Sequence, residues 1–160
     1  MEIKYLEKLV ENSTIGKSTI RGVSEKEIDK IEEKYGIKFP QAYREFLFLA
    51  GDYCGALPLY DTADLKTIGS DWHQEIMKET MEEFGTEIEK PFWLYAESNG
   101  CEQFVFFYLD EGDDPYIYVV DYDHNSNYEK QKIVKSEYTF SKGIEGAIKQ
   151  AYDIVEKGLW

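Results

Sequence analysis

The chain is poor in the residues that build metal, redox and nucleophilic chemistry. Its 160 residues include two cysteines and two histidines. Neither cysteine, Cys54 or Cys101, stands in a Cys-x-x-Cys arrangement, and two are too few for a disulfide framework. Both read as buried structural thiols, and a disulfide is not expected inside a reducing compartment. No apolar run approaches the roughly 18 residues of a membrane span. The opening stretch, Met1 to Lys8, alternates charged and apolar residues and reads as helix, without the apolar core of a signal peptide. A soluble, cytoplasmic chain is the expectation. Repeats, linkers and low-complexity tracts are also missing, so residues 1–160 read as one domain, long enough to bury about two-thirds of its unfolded surface.

Positive charge is scarce too, with 18 basic residues against 32 acids and a net charge of −14. The shortage is local. Asp71 to Lys90 holds seven acids and two lysines, Glu97 to Glu129 holds nine acids and no base, and the remaining residues balance at 16 of each sign. A negative field of this kind disfavours direct contact with nucleic-acid phosphate. Acidic composition by itself means solubility, whereas its concentration in two segments also suits recognition of a basic partner.

Aromatic residues make up 16% of the chain, which together with a 42% apolar fraction excludes disorder. The clearest local pattern runs from Val23 to Gly51. Ser24 followed three residues later by Glu27 predicts a capping box, so a helix starts near Ser24. Ile28, Ile31 and Tyr35 recur on one face of it, and Gly36 stops it, with Ile37 folding back onto its last turn. Pro40 restarts the helix at a first-turn position, and Tyr43, Phe46, Leu47 and Ala50 follow at helical spacing up to Gly51.

A capped helix, then Gly36-Ile37-Lys38-Phe39-Pro40, Tyr43, Phe46-Leu47 and a glycine turn resembles the signature of the SUKH superfamily of Smi/Knr-type proteins. The resemblance covers about a fifth of the chain, and the later layout agrees with it. Where the family usually has an Asn-Gly-Gly-like turn, this chain has Gly51-Asp52-Tyr53-Cys54-Gly55. The family includes bacterial immunity proteins and fungal cell-wall regulators. It implies an α+β fold in which an antiparallel meander packs with the N-terminal helix pair and a C-terminal helix.

The remaining pattern supports that layout. Tyr5, Leu6, Leu9 and Val10 suggest a short N-terminal helix, and Trp72, Ile76, Met77 and Phe84 predict a helix over 71–84 stopped by Gly85. Phe92 to Tyr95, Gln103 to Leu109, Tyr116 to Val120 and Gln131 to Val134 are short aromatic and β-branched runs that predict strands. Asp110 to Pro115 and Asp121 to Asn127 read as the exposed turns between them. Ile144, Ala147, Ile148, Ala151, Tyr152 and Val155 trace one face of a final helix that Ser141 can cap. Along the second strand both faces are apolar, which fits core on both sides or an aromatic recognition face rimmed by acids.

Three motifs resemble catalytic or ligand-binding signatures. Gly16-Lys17-Ser18-Thr19 resembles the end of a phosphate-binding loop, yet Glu11 stands where that loop needs its first glycine, and no buried strand precedes it. His73 near Asp71 and Glu75, and His124 after Asp121 and Asp123, could be metal or acid–base clusters, but both histidines read as solvated side chains beside surface acids. Asp110 to Asp114 lacks the alternating ligands of a calcium loop. No metal, cofactor or catalytic residue is expected.

The sequence therefore points to a non-enzymatic protein-binding module. By the resemblance it is an immunity protein that neutralises a cognate bacterial toxin. Many such toxins act on nucleic acid and have basic clefts that an acidic surface would plug. The expected contacts are Glu97, Glu102, Asp110, Glu111, Asp113, Asp114, Asp121 and Asp123, with Tyr116, Tyr118 and Tyr122 as aromatic partners. The competing reading is a housekeeping scaffold or regulator that recruits a cellular protein through the same surface.

Overall fold

The predicted capping box at Ser24 is formed, with the Ser24 N–H donating to Glu27 Oε2 at 2.8 Å and the Glu27 N–H donating back to Ser24 Oγ at 3.3 Å. It opens a helix over Glu25–Tyr35, which Gly36 ends with φ at 64°. The next helix, Gln41–Ala50, has Pro40 at its cap, one residue earlier than the predicted first-turn position. Between the two, Glu32 is buried and its carboxylate accepts from the Phe39 N–H at 2.7 Å, from Lys38 Nζ at 3.1 Å and from the Arg44 guanidinium. A buried charge is tolerated when paired and hydrogen-bonded in this way, and breaking such a pair leaves an uncompensated ion.

In the computed structural model, residues 1–121 and 133–159 are described. They form α1 (Glu7–Glu11), a hairpin of β1 (Thr14–Ile15) and β2 (Ser18–Thr19), α2 (Glu25–Tyr35), α3 (Gln41–Ala50), α4 (Leu65–Ile68) and α5 (Asp71–Glu83). The strands β3 (Phe92–Ser98), β4 (Gln103–Tyr108), β5 (Tyr116–Asp121) and β6 (Val134–Thr139) follow, and α6 (Phe140–Glu156) closes the chain. The four long strands form one antiparallel sheet in the order β3-β4-β5-β6, the expected meander. No helix among the described residues is long and apolar enough to cross a membrane.

The helix pair and α6 meet on the sheet through aromatic rings. Tyr43 lies edge-on to Phe107 at 5.1 Å and to Phe140 at 5.6 Å, and its hydroxyl accepts from Trp93 Nε1 at 3.1 Å. Phe46 and Leu47 are fully buried, as the stripe requires. On the other face of β4, Phe106 stacks on Tyr118 at 5.3 Å and meets Phe92 and Tyr108 edge-on. Phe104, Phe106 and Phe107 all have 0% exposure, so β4 is core on both sides and carries no open aromatic face. Gly22 lets this packing close, since a Cβ there would sit 1.6 Å from the Phe48 carbonyl oxygen.

Three elements depart from the sequence reading, and a short hairpin lies between Asn12 and Gly22, where that reading assigned no element. That hairpin is β1–β2, with Gly16-Lys17 at its tip, Ile15 paired with Ser18 and Gly16 at φ 60°. Met1 to Leu6 are not helical, because Glu45, buried in α3, accepts the N–H groups of Lys4, Tyr5 and Leu6 at 3.0, 2.8 and 3.0 Å and holds them in a bend ahead of α1. The fourth strand runs over Val134–Thr139, sharing only Val134 with the predicted run, whose Gln131 and Lys132 lie outside the described residues. Ser141 does not cap α6. The cap position belongs to Thr139, and Ser141 is bonded to Asp114.

Candidate functional site

All seven acids between residues 71 and 90 are exposed. Asp71, Glu75, Glu79 and Glu82 recur at the three- and four-residue spacing that places side chains on one helical face, so α5 presents an acidic stripe. Trp72, read as part of the apolar stripe, is instead 64% exposed beside these acids. The buried positions of α5 are His73 and Met77. Those two residues are four apart, and the polar histidine hid the true phase of the stripe.

The two acidic segments meet at Tyr108. Lys90 lies 3.6 Å from Asp110 and 5.1 Å from the Tyr108 ring centre, and the Leu109 N–H donates to the Pro91 carbonyl at 2.9 Å. Burial raises the Tyr108 phenol above its ordinary value. Lys90 opposes this, and Glu111, Asp110 and Glu89 add to it. Glu89 from one segment thus shares a field with Asp110 and Glu111 from the other.

The Asp110–Pro115 turn does more than carry charge. The Asp113 carbonyl accepts the Ala42 N–H at 2.9 Å in the first turn of α3, and the Pro115 carbonyl accepts the Phe140 N–H at 2.8 Å at the start of α6. Asp114 accepts the Ser141 N–H at 2.8 Å and the Ser141 hydroxyl at 2.7 Å. Free N–H groups at helix starts are costly when unpaired, and one turn satisfies them in two helices.

The predicted contacts therefore separate. Asp110, Asp113 and Asp121 are exposed, and Tyr116 is 41% exposed with Lys135 4.0 Å over its ring. Glu102, Glu111 and Asp114 are half-buried. Tyr118 is 9% exposed, and its hydroxyl donates to Glu111 at 2.7 Å, so its ring belongs to the sheet face rather than to a contact surface. Burial and that carboxylate raise its phenol above the ordinary value. Glu97 is corrected outright: at 5% exposure it cannot rim a surface, and its Oε2 is held by the Cys101 N–H at 2.8 Å. Tyr122, Asp123 and His124 lie outside the described residues.

His73 is a second correction. It is buried rather than solvated, with Nε2 3.6 Å from Cys101 Sγ and 3.8 Å from Glu97 Oε1. Burial, with Glu97 adding to it, pushes the Cys101 thiol up to about 12. Such a thiol is not a reactive nucleophile. Cys54, half-buried, has its thiol raised by burial as well.

A family model described as the SMI1 / KNR4 family (SUKH-1) matches residues 22–141. That span starts at the close-approach glycine before α2 and ends at the residue that Asp114 binds in α6. No curated protein and no solved structure matches the chain.

Proposed function

Because the chain belongs to the SMI1/KNR4 (SUKH-1) family, whose members are generally non-enzymatic immunity or regulatory proteins that bind other proteins, we propose that it is an immunity protein of the cytoplasm. It neutralises a cognate toxin by covering a basic working surface. The observation that carries this reading is the concentration of exposed acids: all seven between residues 71 and 90 are exposed, and the end of that segment, at Glu89, shares the field at Tyr108 with Asp110 and Glu111 of the Asp110–Pro115 turn.

Clustered charge of one sign raises the rate of encounter with an oppositely charged cleft and discourages wrong partners. Asp110, Asp113, Asp121 and Tyr116 supply contacts from the sheet side, and Glu75, Glu79 and Trp72 extend them along α5. An exposed tryptophan amid acids gives the aromatic anchor that charge alone lacks. Glu102, Glu111 and Asp114 border this surface, with Glu111 and Asp114 also committed to internal bonds.

Co-expression tests the reading. The product of the gene immediately upstream should be toxic alone and tolerated with the wild-type chain. A folded variant carrying Glu75→Lys, Glu79→Lys and Asp110→Lys should fail to protect. Protection by that variant would remove the acidic surface from the mechanism, and an upstream product without toxicity would favour a regulator that recruits a cellular protein.

A further inference from the structure

Three side chains from separate positions converge in the interior between α5 and the β3–β4 turn. The coordinating atoms of His73, Glu97 and Cys101 all lie within 4.8 Å of one another, and all three residues are buried. The acidic face makes no use of them. Two ligands bound to one tetrahedral ion at Zn–N and Zn–S lengths of about 2.0 and 2.3 Å stand roughly 3.6 Å apart. The Nε2 to Sγ separation is 3.6 Å.

The surroundings are those of a ligand set. Glu97 divides its oxygens, with Oε2 fixed by the Cys101 N–H at 2.8 Å and Oε1 left facing His73 at 3.8 Å, too far for a hydrogen bond between them. A backbone donor that orients a carboxylate is the usual outer support of a metal site. Cys101 takes φ 69°, so its side chain is held inward by a left-handed backbone that non-glycine residues rarely adopt. His73 Nδ1 is buried without a hydrogen-bond partner among the described residues, so the support that a ligating histidine takes through its second nitrogen would fall to a water.

We propose that His73 Nε2, Glu97 Oε1 and Cys101 Sγ bind one divalent transition-metal ion of the zinc class, with water completing a tetrahedron. Imidazole and thiolate together select zinc or cobalt over magnesium or calcium. On binding, the Cys101 thiol gives its proton to the buffer, and thiolate and carboxylate together neutralise the 2+ charge, so the interior gains no net charge. The ion fastens α5, through His73, to the turn that carries Cys101. It thereby fixes the helix that presents the acidic stripe.

Cobalt titration of the full chain, stripped of metal with a chelator, tests this. One Co²⁺ per chain should bind with a near-ultraviolet thiolate-to-cobalt band and the visible bands of a four-coordinate ion, and Zn²⁺ should displace it. Cys54→Ser should keep the thiolate band and Cys101→Ser should lose it. Glu97→Gln should weaken Co²⁺ binding by roughly tenfold or more. The wild-type and Cys54→Ser titrations leave the site intact and decide the matter even if a core variant fails to fold. Absence of a stoichiometric thiolate band in both, or a band that follows Cys54, overturns the proposal.

Discussion

Asp114 binds Ser141 twice, through the backbone N–H at 2.8 Å and the hydroxyl at 2.7 Å, and so a turn between two strands caps a helix that starts 26 residues later. Charge-assisted bonds of this kind are worth about 1.5–3 kcal/mol each when a partner is removed. Asp114→Ala should therefore destabilise by about 2 kcal/mol. Asp113→Asn, whose side chain is exposed, should change stability by no more than about 0.5 kcal/mol. Urea unfolding of both variants checks the contrast.

Glu45 anchors the N-terminal segment by accepting three successive backbone N–H groups. Each buried donor left unpaired costs about 1–3 kcal/mol. Glu45→Ala should cost at least about 3 kcal/mol, and hydrogen exchange at Lys4, Tyr5 and Leu6 should accelerate far more than in β4. Unchanged protection at those three amides would show that the segment is held by other contacts.

Phe46 is fully buried and edge-on to Phe140 at 5.7 Å. Truncating such a ring typically costs about 3–5 kcal/mol. Phe46→Ala should lower the thermal midpoint severely, as read by calorimetry.

Glu27 titrates below the usual glutamate value because the Ser24 hydroxyl and N–H both bind its carboxylate. A carboxyl depressed in the folded state adds stability that is present above its unfolded value of about 4.3 and is lost as pH falls below that. The stability difference between the parent and Glu27→Gln should therefore favour the parent at pH 7 and narrow as pH drops below about 4.3. Thermal melts at a series of pH values read the difference directly, and subtracting the variant removes the general effect of protonating the other acids.

The parts of the fold that were legible in the sequence are those specified locally. Ser24, Glu27, Gly36 and Pro40 set the ends of two helices by their own backbone chemistry, and the aromatic runs of β3, β4 and β5 need no distant partner to be recognised. What escaped was long-range. Glu45 reaches across 39 residues to Leu6, and Glu97 and His73 look like surface residues until the sheet and α5 enclose them. The last strand escaped for a different reason. Val134 to Thr139 is a polar, largely exposed edge without apolar alternation, so the sheet ladder rather than the side chains defines it. The acidic stripe of α5 was visible in the spacing of Asp71, Glu75 and Glu79, but its exposure depended on a helix phase set by His73.

Association kinetics test the central claim most directly. With the upstream gene product as partner, stopped-flow rates should fall steeply as salt rises through physiological strength, where the Debye length is about 8 Å. Dissociation should change much less, and Glu75→Lys with Asp110→Lys should slow association further at low salt while leaving the melting profile intact. An association rate that is independent of salt and unchanged in that variant would contradict recognition through the acidic face.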